Sequence, residues 1–185
     1  MLVIPELTTE RLRLRAFQEG DAPAYHGMLS DPEVSRFLGD GRPFGELEAW
    51  RQMAQILGHW VLRGFGLWAV EERSSGQLVG RIGHLEPRGW PGFELAYTIA
   101  RPAWGRGYAR EGARAALDHA RTALDRTEII SIIRPDNLAS IKVATALGAS
   151  RSHAVEFFGA PSDIYRYPPA GLETSHGLSP SGDGG

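Results

Sequence analysis

Residues 93–111 read FELAYTIARPAWGRGYARE, and two periodicities meet there. The left part, FELAYTIA (93–100), is a short apolar run bounded by turn residues, which predicts a buried strand. On the right, REGARAALDHARTAL (110–124) predicts an amphipathic helix running from about Tyr108 to Leu124. Gly105, Arg106 and Gly107 sit at the joint. A helix N-terminus has unpaired N–H groups and the positive end of the dipole, so it attracts phosphates. Glycines there let a ligand approach the backbone and permit unusual torsions. WGRGYA is therefore a candidate pyrophosphate cradle, made by the amides of Gly105 to Ala109, with Arg106 or Arg110 to add charge. It is not a dinucleotide fingerprint, because the third glycine is missing. It is not a P-loop either, because no Gly-Lys-Ser/Thr follows.

Downstream, EIISIIRP (128–135) is a continuous apolar strand, expected to be buried on both faces. With FELAYTIA and the helix between, it forms a crossover unit, so the two strands should be parallel. DNLASIKVATALGA (136–149) is a short helix, capped by Asp136 or Asn137 and ended by Gly148. SRSHAVEFFGAPSDIYRYP supplies two last strands, or one strand and a bent edge.

Upstream, ERLRLRAF alternates, with Leu12, Leu14 and Ala16 on one face and arginines on the other. Asp21 is positioned to cap a helix that Asp31-Pro32 stops. GELEAWRQMAQILGHWVLRG is a longer amphipathic helix, with Leu47, Trp50, Met53 or Ala54, Leu57 and Val61 at helical spacing and Gly64 at its end. GLWAVEER, QLVGRIGHLEP and FELAYTIA then form a three-strand meander. Most of the five tryptophans are expected in the core, with Trp90, on the turn of the meander, placed to line a cleft. The whole is a mixed α/β domain over residues 1–167, followed by a disordered tail, 168–185, rich in Pro, Gly and Ser.

The 185 residues carry a net charge of −2, so neither nucleic acid nor an anionic membrane is expected as a partner. There is no cysteine, which excludes disulfides, thiolate metal sites and a cysteine nucleophile. The six histidines show no H-x-x-x-H or HExxH spacing, so no metal is expected. No signal peptide or membrane-length apolar run is visible, and a cytoplasmic location is expected.

Three motifs occur in order. Leu7 to Arg15 read L-x-T-x-R-L-x-L-R, Pro102 to Glu111 read P-x-x-W-G-x-G-Y-A-x-E, and Asn137 to Ser140 read N-x-x-S. Together they resemble the GCN5-related N-acetyltransferase (GNAT) superfamily, in its RimJ/RimL-type ribosomal-protein branch. The resemblance covers about residues 7–167. It implies a mixed, mostly antiparallel twisted sheet with a central splayed parallel pair flanked by helices. It also implies an enzyme that moves an acetyl group from acetyl-CoA to a primary amine. Two departures mark this chain. Ala144 stands where many members carry a tyrosine general acid, and Trp104 stands where the first motif often opens on Gln or Arg.

On this resemblance the pyrophosphate sits on the amides of Gly105, Arg106, Gly107, Tyr108 and Ala109, beside Trp104. The pantetheine arm lies along Thr98 and Ile99 and is hydrogen-bonded by Asn137. An N–H near Ile99 polarises the thioester carbonyl. Glu94 is the first candidate for the base, with His84 and Glu86 on the neighbouring strand as alternatives. Ser140 contacts the leaving sulfur or donates its proton. The acceptor is a protein N-terminal amine, or alternatively a small amine such as an amino acid, polyamine or aminoglycoside. A reading of another class is a non-catalytic CoA-binding sensor or scaffold. A homodimer is compatible with the resemblance.

Overall fold

The computed structural model describes residues 3–169. The chain opens with β1 (Leu7–Thr8) and β2 (Leu12–Arg15), then α1 (Ala22–Leu29), α2 (Pro32–Ser35) and α3 (Glu46–Arg63). A meander follows: β3 (Leu67–Glu72), β4 (Gln77–Leu85) and β5 (Glu94–Ile99). Then come α4 (Tyr108–Thr122), β6 (Ile129–Ile133), α5 (Leu138–Ala146), β7 (Ser150–Phe157) and β8 (Ala160–Tyr167). The eight strands form one sheet in the order β1-β2-β3-β4-β5-β6-β8-β7. Every neighbouring pair is antiparallel except β5–β6, the crossover pair expected from the sequence. The SRSHAVEFFGAPSDIYRYP segment forms two strands, β7 and β8. The expected tail lies, from residue 170 on, outside the described residues.

Leu12, Leu14, Trp60, Trp68, Ile82, Leu95 and Leu117 are almost fully buried and form the centre of the core. Ala113, Ala116 and Ala120 give α4 a small-residue face that seats close on the sheet. At Gly112 an added Cβ would stand 2.5 Å from Ile82 Cδ1, so any side chain there would have to displace the tip of Ile82.

Several local expectations are corrected. The buried stripe of α3 is Ala49, Met53, Ile56 and Trp60, whereas Leu47, Trp50 and Val61 are exposed. Trp50 therefore lies outside the core, with its indole N–H on Glu19. Arg15 is buried among the core residues, where Asp21 binds it through both oxygens at 2.8 Å and Glu71 accepts from its Nε at 2.7 Å. Asp21 is thus not a side-chain cap for α1, because its carboxylate turns back to Arg15 and to the Gln18 N–H. Asp31 does not only end α1. Its side chain accepts from the Glu33 N–H and starts α2, with Pro32 in the first turn.

Candidate active site

The parallel pair is held by one register rung, Glu94 opposite Ile130, with the Ile130 N–H on the Phe93 carbonyl. Side chains add to it, foremost Ser131 Oγ, which donates to the Leu95 carbonyl at 2.6 Å. Beyond that the strands part. The Ala100 N–H turns toward β4, on the Val79 carbonyl. By strand alternation, the backbone groups of Tyr97 and Ile99 point the other way, into the gap. Trp104 closes the far end, where its indole N–H donates to the Ile99 carbonyl at 2.7 Å. Thr98, Ile99, Asn137 and Ser140 line the resulting cavity of about 1450 Å³. That volume exceeds the ~300–1,000 Å³ of an ordinary small-ligand pocket.

The glycine joint opens on the same cavity. Gly105 and Gly107 have φ of +76° and +81°, torsions that side chains disfavour. Gly107 is the N-cap of α4 and no side chain caps it, so the N–H groups of Tyr108, Ala109 and Arg110 lack helical acceptors. Nothing lies within 4 Å of where a Gly105 Cβ would stand, leaving room for a ligand. These features fit the pyrophosphate of CoA. Trp104, Gly105, Gly107, Tyr108, Ala109 and Arg110 line the cavity, but Arg106 does not. Arg106 instead pairs with Glu72 at 3.0 Å, and Glu72 also accepts from the Tyr108 hydroxyl.

Sequence reasoning missed how this turn is held. Glu111 Oε1 accepts from the Thr9 hydroxyl (2.6 Å) and the Arg11 N–H (2.9 Å), and its Oε2 from Arg11 Nε (2.7 Å). Arg11 Nη1 then donates to the Arg106 carbonyl at 2.8 Å. The N-terminal motif and the glycine motif are thus one physical unit. Their common signal was the matched Thr9, Arg11 and Glu111, which the spacing alone did not join. Burial would raise the Glu111 pKa, but the bonds from Thr9 and Arg11 hold it below the usual carboxylate value.

At the other end, Glu94 is 7% exposed and lines the cavity. The Trp90 indole N–H donates to its Oε2 at 2.6 Å, and the Ile132 N–H lies 3.4 Å from its Oε1. Burial pushes its pKa up to about 7 against those two bonds and the charge of Arg81. His84 pairs with Leu95 across β4–β5, while Glu94 pairs with Leu85, so the two project from opposite faces. His84 is fully buried under α4, stacked on Phe93, with Nε2 on the Ala116 carbonyl at 2.9 Å. Glu86 is bound to Arg63 at 2.6 Å. Neither lines the cavity.

Asn137 is the α5 cap. Its Oδ1 accepts from the Ser140 N–H at 3.2 Å, which leaves its NH₂ as a donor for a ligand. The Ser140 carbonyl accepts from Tyr97 OH at 2.9 Å, tying α5 to β5 across the gap.

The comparisons agree with this architecture. Residues 11–150 match the family model described as an acetyltransferase (GNAT) domain. An uncharacterised Bacillus subtilis protein, YkkB, is 32% identical over 86% of this chain and 94% of its own length. The Aspergillus fumigatus FsC-acetyl coenzyme A-N(2)-transacetylase is 30% identical over 91% of this chain and 72% of its own. An acetyltransferase structure from Agrobacterium tumefaciens superposes with a TM-score of 0.79 at 30% identity, covering 90% of this chain and 96% of that one. With its splayed strand pair and glycine cradle, the chain belongs to the GNAT family and is an acetyl-CoA-dependent N-acetyltransferase.

Proposed function

We propose that the enzyme acetylates a primary amine with Glu94 as its base. The observation that carries this is the position of Glu94, a buried carboxylate at the head of the gap whose pKa of about 7 suits proton removal near neutrality. Acetyl-CoA supplies an activated acyl group as its thioester. The amine nitrogen forms the new C–N bond as the C–S bond breaks. Glu94 takes the amine proton, directly or through one water. The Ile99 N–H faces the gap and stabilises the developing oxyanion. Asn137 positions the donor arm through its free NH₂. Ser140 contacts the departing sulfur, which leaves as a thiolate, since a thiol pKa of ~8.5 makes that accessible near neutral pH.

The acceptor we favour is a protein N-terminal amine, supported by the likeness of the three motifs to the RimJ/RimL-type branch. A small-molecule amine is the second reading. It is favoured by the aromatic cluster of Trp90, Phe157 and Phe158 at the acceptor end, with Trp90 and Phe157 centroids 4.7 Å apart. Thiol release with a panel of peptides and small amines separates the two.

Glu94→Gln should lower kcat by about 10²–10⁴-fold while acetyl-CoA affinity stays the same. Unchanged turnover at pH 7 would sink the base assignment.

A further inference from the structure

Arg81 is a buried cation that this reaction scheme does not use. It projects from β4 on the same face as Thr98, into the cavity, and is 9% exposed. Its hydrogen-bond partners are all neutral. Nη1 donates to the Tyr25 hydroxyl (2.8 Å) and to Gln52 Oε1 (2.6 Å), and Nε lies 3.4 Å from Thr98 Oγ1. Tyr25 OH also donates to Gln52 Oε1 at 2.7 Å, so that side of the guanidinium is saturated. Among the described residues no carboxylate forms an ion pair with it and nothing accepts from Nη2, although all five N–H groups of a guanidinium are donors. Glu94 feels the charge of Arg81 but makes no ion pair with it; burying an unpaired charge is costly, and arginine cannot shed its proton as a buried lysine can. An anion arriving in the cavity would meet a fixed, pre-oriented fork.

We propose that Arg81 is the anion subsite for the acceptor: the substrate carries a carboxylate close to the amine that is acetylated, and this carboxylate pairs with Nη2 of Arg81. The inference rests on the N-acetyltransferase reading above. The spacing supports it. Thr98, opposite Arg81, and Glu94 lie four residues apart on one face of β5, ~13 Å between Cα atoms. Both side chains line the same cavity, so an amino-acid-like group between them would hold its amine toward Glu94 and its carboxylate toward Arg81. The same charge disfavours a polyamine, which would place a second cation beside the first.

The test is a set of matched acceptors: amino acids against their decarboxylated or amidated counterparts, and peptides beginning with Asp or Glu against those beginning with Asn or Gln. The wild type should prefer the carboxylate member of a set by about tenfold to a hundredfold in kcat/KM, the range expected of a charge-assisted bond. The amino-acid pairs and the peptide pairs tell a free substrate from a protein N-terminus. Arg81→Met should abolish the preference and leave the acetyl-CoA KM unchanged, while Arg81→Lys should keep part of it. Equal turnover of both members by the wild type, or an equal loss on both in Arg81→Met, would overturn the subsite yet leave the enzyme reading intact. Failure to bind acetyl-CoA would instead remove the enzyme reading. If no acceptor turns over, binding of an N-acetyl amino acid and its amide to the enzyme–CoA complex decides. Tighter binding of the acid, lost in Arg81→Met, supports the subsite, and equal binding ends it.

Discussion

Two buried titratable side chains on opposite faces of the β4–β5 ribbon are displaced in opposite senses. Burial raises Glu94 to about 7, and burial lowers His84 to about 4. Burial holds His84 neutral although its Nε2 donates to the Ala116 carbonyl, and among the described residues its Nδ1 has no hydrogen-bond partner. The signs of the two linkages follow. For Glu94, the unfolded chain loses its proton near 4.5 and the folded chain near 7. Its contribution to stability is complete below pH 4.5 and lost as pH rises through 7. For His84, the unfolded chain gains a proton near 6.5 and the folded chain only near 4. Its contribution is complete above pH 6.5 and lost as pH falls through 4. Between about pH 4.5 and 6.5 the two slopes oppose each other, each amounting to about 1.4 kcal/mol per pH unit. The wild type should therefore show a flat contribution from this pair. Glu94→Gln should make stability rise with pH across that interval, and His84→Phe should make it fall, both read by urea titration at pH 4.5, 5.5 and 6.5. Parallel curves for all three proteins would refute the displacement. In the rate, the limb near pH 7 should vanish in Glu94→Gln.

At the scale of elements, the N-terminal segment and the α4 turn act together. Glu111→Gln weakens the clasp on Arg11 and the Arg106 carbonyl without touching the gap. It should raise the acetyl-CoA KM about tenfold with kcat nearly unchanged. Gly107→Val puts a β-branched residue at φ +81°, at a cost of about 1–2 kcal/mol, and should weaken acetyl-CoA binding further. An unaltered donor KM in both would show that the turn holds nothing. This region was the most legible part of the sequence, because strand, glycine turn and helix each leave a local pattern. Helix α3 was not legible in the same way. Its 18 residues carry apolar side chains on more than one side, so two stripes fit the helical period equally well. Only packing against α1 and, through Trp60 on Trp68, against the sheet selects Ala49, Met53, Ile56 and Trp60. Arg15 was hidden for a related reason. Alternation assigns a face, but the carboxylates that draw a charge inward come from residues 21 and 71. Arg81 reads as one more charged residue in a glycine-rich strand, until Tyr25 and Gln52 converge on it.

Across the whole molecule, the sheet is continuous in order yet held at its centre by one rung, so β1–β5 and β6–β8 meet along a seam. A ligand lying in that seam bridges both parts. Acetyl-CoA at ~100 times its Kd should add about 2.7 kcal/mol, or about 5–10 °C in Tm, with no shift from NAD. An unchanged Tm at millimolar acetyl-CoA would mean that the seam does not take the donor. Backbone amides of Tyr97 and Ile99, which face the gap, should also exchange more slowly with the donor bound. The placement of the tryptophans gives this seam an optical property. Trp60 and Trp68 are sealed in the core, and Trp50 sits on the outer side of α3. Trp104 and Trp90 stand at opposite ends of the cavity, one on the Ile99 carbonyl and the other on the Glu94 carboxylate. Their emission therefore senses different events, so comparing the wild type with Trp104→Phe and Trp90→Phe lets arrival at each end be followed separately, in real time and without a dye.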